Sequence, residues 1–326
     1  MDEFYDICLD IGGTKTLGAV FDSKQNIVHR LKKKTTAGGG SSQNVEEVII
    51  SVVDEMLTEM GIKKKQLRAI AAGAPGVIDQ DDGIVLFSPN LPWRDYDIAS
   101  PIRNKFGAPF YIGNDVNVGV LGEHQYGAAK GYHNVVGFFV GTGMGGGLIL
   151  NDKLFTGNAF KAAEYGHMVL NSEGPLCNCG QRGCLESFSS KKGMVAYIAQ
   201  QVNRGRKSYM SDKIENNIFK SRALQKALEK KDAVAMEAVD RACHYLAIAT
   251  GNMINTISPD VVVYGGGVIE AMGPIFLEKI LAEVDKYCMT SIRPTVELKT
   301  AALGDDSILY GALSMIQSHS ENAKKG

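Results

Sequence analysis

The sequence predicts an α/β protein made of two related domains, on three observations. The first is a repeated layout. LDIGGTKTLGAVFD near the start and FVGTGMGGGLILND from Phe139 both read as strand, Gly/Thr-rich tip, strand, Asp. Two such units about one domain apart indicate an internal duplication, each domain opening with a hairpin that offers backbone amides to a ligand in the cleft between them. The second is a pair of apolar strands that run into glycine turns: Ala69–Ala74 into Gly73-Ala-Pro-Gly76, and Val261–Tyr264 into Gly265-Gly-Gly267. The carboxyl ends of strands are where ligands bind in α/β sheets. The third is a stripe at helical spacing, Val45, Val48, Ile49, Val52, Met56, Leu57 and Met60, which reads as a core-facing helix.

Taken in order, Phe4–Asp10 is a strand, Ile11–Lys15 a tight turn and Thr16–Asp22 a second strand. The tip sets the amides of Gly12 and Gly13, the Thr14 hydroxyl and the Lys15 ammonium beside the Asp10 carboxylate. Such a tip suits triphosphate oxygens, with Asp10 facing magnesium through water. The same pattern also serves as a plain turn, and neither GxxxxGK[ST] nor GxGxxG is present. Asn44 and Glu47 form a capping box for the helix that Gly61 ends. Asn90 lies in an irregular Ser-Pro-Asn-Leu-Pro loop before the single Trp, Trp93. Strand Pro109–Ile112 leads through Gly113-Asn114-Asp115-Val116-Asn117 into a helix over Val118–Tyr126. Asp115 is there either a reactive carboxylate or a helix N-cap.

Strand Asn134–Val140, the tip Gly141–Gly147 with Thr142 and Gly143, and strand Leu148–Asn151 form the second hairpin. Gln200–Ser221 is polar. Asp232 opens a long helix, Ala233–Ile257, closed by Pro259. After Val261–Tyr264, the turn Gly265, Gly266, Gly267 lets a flat ring approach the backbone. A helix from about Met272, a strand over Glu297–Ala301 and a helix from Asp306 to Gln317 follow, with His319–Gly326 a frayed tail.

His167, Cys177, Cys179 and Cys184 lie within eighteen positions, flanked by Glu164 and Glu186. One His and three Cys are a full tetrahedral set for zinc, and four protein ligands make the site structural. A disulfide or inert thiols are the alternatives; in a reducing compartment the metal reading is favoured. Cys8, Cys243 and Cys288 sit in apolar contexts and read as buried thiols.

With 326 residues, 44% hydrophobic and 22% charged, the chain has the make-up of a soluble globular protein with room for a sizeable core. A net charge of −1 gives no bulk attraction to nucleic acid or membrane. The tracts Lys32-Lys33-Lys34 and Lys63-Lys64-Lys65 read as solvated loops. Neither a signal peptide nor an apolar run near the roughly 20 residues of a membrane span is present, so the expected location is the cytoplasm.

These segments, in this order, resemble the ROK family (repressors, open reading frames and sugar kinases). The matching stretches are Asp10-Ile-Gly-Gly-Thr-Lys15, Gly73-Ala-Pro-Gly76, Asn114-Asp115-Val116-Asn117 with Leu121-Gly-Glu123, Gly141-Thr-Gly143, Glu164-Tyr-Gly-His167, Cys177-Asn-Cys-Gly-Gln-Arg-Gly-Cys184-Leu-Glu186 and Gly265-Gly-Gly267. The cysteine segment is specific; the glycine turns are not, singly. The resemblance implies the actin-like, hexokinase-type ATPase fold: two ribonuclease-H-like α/β domains with a cleft between, residues 1–115 plus 303–326 forming the smaller and 116–302 the larger, which carries the zinc loop.

By the same resemblance, Asp115 is the general base. Asn114, Glu164, His167 and Glu186, with Asn90 and the Gly76 backbone as weaker candidates, hold the sugar. Asp10, Gly12, Gly13, Thr14, Lys15, Thr142, Gly143 and Gly265–Gly267 hold ATP and Mg²⁺. His167 joins metal to sugar, one ring nitrogen for each. Two departures bear on sugar preference: Ala163 stands where the family usually has Gly, and Val-Gly-Val follows Asn117. The implied function is ATP-dependent phosphorylation of a hexose, glucose at its 6-OH first, by a homodimer or higher homo-oligomer. The alternatives are an N-acetylmannosamine, N-acetylglucosamine or fructose kinase; a sugar-sensing protein without turnover; and an actin-like filament former. A helix-turn-helix ahead of the first strand is not expected, because that strand starts within ten residues of the N-terminus.

Overall fold

The computed structural model describes residues 4–35, 41–215 and 220–325, so 216–219 of the polar stretch and Gly326 of the tail lie outside it. The chain divides into two compact units. The first takes in Met1–Lys130, Thr156–Ala162 and Asp305–Gly326; the second takes in Gly131–Phe155 and Ala163–Gly304.

In the first unit, β1 (Tyr5–Ile11), β2 (Lys15–Phe21) and β3 (Ile27–Lys34) form an antiparallel ladder. β4 (Leu67–Ala74) runs parallel to β1. Three short strands, β5 (Val77–Asp79), β6 (Ile84–Phe87) and β7 (Arg94–Asp97), make a small sheet of their own. β8 (Phe110–Asn114) then closes the main sheet, in the order β3-β2-β1-β4-β8. β1 is covered on both faces. Ile7 and Leu9 pack with Val45, Ile49, Val52 and Met56 of α1 (Ser42–Glu59). Cys8, one residue out of phase, packs with Leu309, Leu313 and Ile316 of the C-terminal helix (Ser307–Lys325). Period-two side chains buried on both faces explain why this strand reads as one apolar run.

Several expectations are corrected here. The N-cap of α1 is Ser41, whose hydroxyl accepts from the Asn44 N–H, not Asn44 itself. The Lys32–Lys34 tract belongs to edge strand β3, where lysines keep the open edge from pairing with another chain. Lys64–Gln66 is a 3₁₀ turn rather than an irregular loop. After α2 (Ala99–Phe106), the helix expected from Val118 starts at Asp115, as α3 (Asp115–Tyr126). Its Val118 packs with Leu309, Leu313 and Ile316, so the first unit runs past the expected boundary at residue 115, to Lys130.

In the second unit, β9 (Val135–Val140), β10 (Met144–Leu150) and β11 (Lys153–Leu154) form the ladder. β12 (Val261–Gly265) is parallel to β9, and β13 (Glu297–Thr300) to β12. The order β11-β10-β9-β12-β13 matches that of the first sheet place for place, as expected of a duplicated α/β unit. Gly145–Gly147 pair with Phe139–Gly137 inside the ladder, so the tip is only Gly141–Gly143 rather than the seven residues expected.

Helices α4 (Leu185–Ser189), α5 (Lys191–Asn203), α6 (Ser211–Glu215), α7 (Ser221–Glu229), α8 (Ala233–Ile257) and α9 (Gly267–Leu281) complete the unit. The C-terminal helix is α10. Asp232 caps α8, accepting from the Ala235 N–H at 2.8 Å. α9 begins at Gly267, earlier than expected, because Met272 (φ −141°) bends the backbone ahead of Pro274 without ending the helix. α10 extends to Lys325, beyond the expected stop at Gln317, so the described part of the expected frayed tail is helical, and the His319 ring stacks on Tyr111 at 4.0 Å. Cys8 and Cys243 are buried, but Cys288 is only half-buried. Among the described residues, no helix is long and apolar enough to cross a membrane.

Candidate functional site

In the first unit the parallel register fixes the site. Asp10 pairs with Gly73 across β1 and β4, and Gly73 and Ala74 pair with Gly113 and Asn114 across β4 and β8. The carboxyl ends of three adjacent strands are therefore level, and every first-unit candidate except Asn90, which lies between β6 and β7, is on them or on the turns they feed. At the β1–β2 tip the Gly12 N–H donates to the Lys15 carbonyl at 2.9 Å, and the Thr35 N–H donates to the Thr14 carbonyl at 2.9 Å. Asn90 is exposed, but its carbonyl oxygen lies 2.8 Å from where a Cβ on Gly13 would stand, so its loop rests on the tip.

Asn114, not Asp115, is the N-cap of α3. Its Oδ1 accepts from the N–H groups of Val116 and Asn117, both at 3.1 Å, and its amide nitrogen donates to the Gly76 carbonyl at 2.9 Å. Asp115 is thus not the N-cap position, although its Oδ1 also accepts the Val116 N–H, at 2.9 Å. Asp115 is the first helical residue, where the positive end of the helix supports its carboxylate. It also acts on Asp10. Burial first and then the Asp115 charge push the Asp10 carboxyl up to about 6, against the pull of Lys15, with Asp305 adding to the push. Sequence reasoning missed Asp305. The signal was an acidic pair, Asp305-Asp306, just ahead of α10.

In the second unit the Gly141–Gly143 tip is pinned from several sides. The Gly141 N–H donates to the Gly143 carbonyl at 2.9 Å; the Lys191 and Lys192 N–H groups donate to the carbonyls of Gly141 (3.0 Å) and Thr142 (3.3 Å). The Met144 N–H donates to Glu186 Oε2 at 2.9 Å. Gly265 pairs with Phe139 near the end of the strand that leads into the tip, and Gly266 is the N-cap position of α9. Glu164 is exposed, on the turn before Tyr165–His167, and its carbonyl accepts the His167 N–H at 3.0 Å.

The cysteine segment folds as a tight hairpin, with bridges Val169–Cys184 and Leu176–Arg182. One donor atom from each of His167, Cys177, Cys179 and Cys184 lies within 4.8 Å of the others. Cys179 Sγ and Cys184 Sγ are 3.7 Å apart, and Cys177 Sγ is 3.8 Å from His167 Nδ1. A disulfide needs about 2.05 Å. A tetrahedron with Zn–S near 2.3 Å has sulfur–sulfur edges of about 3.8 Å. The donor set therefore fits zinc, with Nδ1 the histidine nitrogen turned to the cluster. Burial raises the Cys177 thiol and pushes Cys184 up to about 12, while the Gln181 N–H holds Cys179 below its ordinary value. Bunched thiols are costly to ionise together, and a dication offsets that cost.

The ROK family profile matches residues 6–319. The chain is 32% identical over 317 residues to the glucokinase of Thermotoga maritima, covering 95% of this chain and 96% of that protein. It is 29% identical over 315 residues to the xylose repressor of Bacillus subtilis, covering 97% of this chain and 77% of the repressor. The structure of the ROK family glucokinase of Streptomyces griseus, in complex with glucose and AMPPNP, superposes with a TM-score of 0.81 at 27% identity, over 96% of this chain and 99% of that one. On the profile match over nearly the whole chain, the chain belongs to the ROK family.

Proposed function

We propose that this chain is an ATP-dependent hexose kinase that phosphorylates glucose at its 6-hydroxyl. The observation that carries the reading is Asp115: a carboxylate in the first turn of α3, its backbone fixed by the Asn114 cap, close enough to Asp10 to shift it. Asp115 takes the proton from the attacking hydroxyl, a role worth ~10²–10⁴ in rate. Asp10 faces the magnesium side, and Lys15, with the amides of Gly13 and Thr14, lines the phosphates; the Gly12 N–H, engaged by the Lys15 carbonyl, shapes the tip instead. Thr142 and Gly143 offer the same grip from the second unit, and Gly265–Gly267 the adenine side. Bound Mg²⁺–ATP supplies the phosphoryl group and neutralises the charge that develops.

Glu164, His167 and Glu186, with Asn114, Asn90 and the Gly76 backbone, hold the sugar hydroxyls, for which ionised carboxylates are strong acceptors. With Nδ1 of His167 turned to Cys177, Nε2 is left to donate to the sugar. His167, Cys177, Cys179 and Cys184 hold a structural zinc that locks this tautomer. The likeness to the glucokinases of T. maritima and S. griseus supports glucose among the hexoses.

A second reading, a sugar sensor without turnover, draws on the likeness to the xylose repressor. The test is ADP release with Mg²⁺–ATP against glucose, fructose, N-acetylglucosamine and N-acetylmannosamine, with wild type and Asp115→Asn. Saturable turnover with glucose that falls at least 10²-fold in Asp115→Asn, with sugar binding retained, supports the kinase. Sugar binding with no ADP release from any of the four supports the sensor.

A further inference from the structure

Glu186 uses its two oxygens in two directions. Oε2 accepts the Met144 N–H at the base of the Gly141–Gly143 tip, at 2.9 Å, and Oε1 lies 3.6 Å from Cys177 Sγ of the metal cluster. The fit is close: a Cβ on Gly143 would stand 2.5 Å from Oε2, so a side chain there would push this carboxylate aside. Cys184, another member of the cluster, is the N-cap residue of α4, two positions before Glu186. The segment that continues from α4 supplies the Lys191 and Lys192 N–H groups that hold the Gly141 and Thr142 carbonyls. Every hydrogen bond described above that fastens the tip from outside therefore comes from residues 186–192, a segment that starts at the metal cluster.

We propose that Glu186 is a positioning residue that couples the metal cluster to the nucleotide tip, so that metal occupancy sets nucleotide affinity as well as sugar affinity. This rests on the reading of Gly141–Gly143 as a phosphate grip. With the four donors drawn to one centre, Cys184 fixes the start of α4 two positions before Glu186 and so holds its carboxylate against the Met144 N–H; Cys177, a thiolate once metal is bound, gives Oε1 no proton and only confines it. Without that tether the bunched thiols spread, Glu186 leaves Met144, and the tip no longer presents its amides in one arrangement. Linkage is reciprocal: a nucleotide seated on the ordered tip tightens metal binding by the same factor.

The experiment is calorimetric titration of the full chain with Mg²⁺–AMPPNP, no sugar present, in zinc-loaded and chelator-stripped protein. Stripped wild type is expected to bind AMPPNP about tenfold more weakly, within the range usual for coupled sites. Glu186→Gln keeps an acceptor for the Met144 N–H, so zinc-loaded Glu186→Gln is expected to bind AMPPNP like zinc-loaded wild type. Glu186→Ala is expected to bind weakly in both metal states, the metal no longer mattering. Equal affinity in loaded and stripped wild type overturns the proposal, as does a tenfold metal effect that persists in Glu186→Ala. If stripping unfolds the chain, by circular dichroism, the reciprocal measurement decides: zinc affinity, read by equilibrium competition with a chromophoric chelator, should rise about tenfold with AMPPNP bound, and an unchanged affinity overturns the coupling. A loaded wild type that binds no AMPPNP overturns the phosphate-grip reading itself, and the coupling with it.

Discussion

The Asn114 side chain joins two ligand-facing turns: its Oδ1 caps α3 while its amide nitrogen donates to the carbonyl of Gly76 at 2.9 Å. One residue thus sets both the start of the helix that carries Asp115 and the turn that follows β4. Asn114→Ala loses both bonds and should cost about 2 kcal/mol in denaturant unfolding, the upper end for a lost cap. Asn114→Asp keeps the cap but cannot donate to Gly76, so it should recover most of the stability. An Ala variant as stable as wild type would remove Asn114 as the joint.

Asp10 should give the protein an acid limb. Its carboxyl is raised to about 6 in the fold, from an ordinary value of 3.8, by burial and by Asp115. Between about pH 4 and 6 the folded chain therefore holds a proton that the unfolded chain has released. The contribution of Asp10 to stability falls as pH rises through that window, and the full cost of burying its charge is present above 6. Asp10→Asn should thus be more stable than wild type at pH 7 and lose that advantage below pH 4, as read by thermal unfolding. Affinity for Mg²⁺–AMPPNP should weaken in wild type as pH drops through about 6, and the variant should bind weakly at every pH.

Zinc and sugar affinity should leave together. Metal analysis of freshly purified protein should find about one zinc per chain, the count that one four-ligand site holds. Cys179→Ala should lose the metal and, through the orientation of His167, most of the glucose affinity. Purified wild type without zinc, or a metal-free variant that binds glucose normally, would contradict the role given to the hairpin.

Ala163 holds a left-handed backbone, φ 64°, at the turn before Glu164. A Cβ there costs on the order of 1 kcal/mol that glycine avoids. Ala163→Gly should therefore stabilise the protein by about 1 kcal/mol in urea unfolding. Its effect on KM for sugar reports how far that strain aims Glu164.

Much of this molecule is written in local patterns. The β1–β2 hairpin, the α8 start at Asp232 and the four donors His167, Cys177, Cys179 and Cys184 each depend on residues close together in the chain, so spacing and residue type suffice to place them. The duplication was legible for the same reason: each hairpin is a local unit, and the matching strand orders of the two sheets follow from it. Boundaries set by pairing were not. Lys32–Lys34 looked like a solvated run because nothing local says that β2 lies beside it, and Gly145–Gly147 looked like a loop because only the ladder with β9 makes them strand. The same holds at the site. His167 and Asp115 could be nominated from their motifs, yet the Asn114–Gly76 bond, the field of Asp305 on Asp10 and the grip of Glu186 on Met144 join residues far apart in sequence. Local chemistry chose the functional groups. Burial and long-range hydrogen bonding, which exist only once the strands are in register, decided how those groups act on one another.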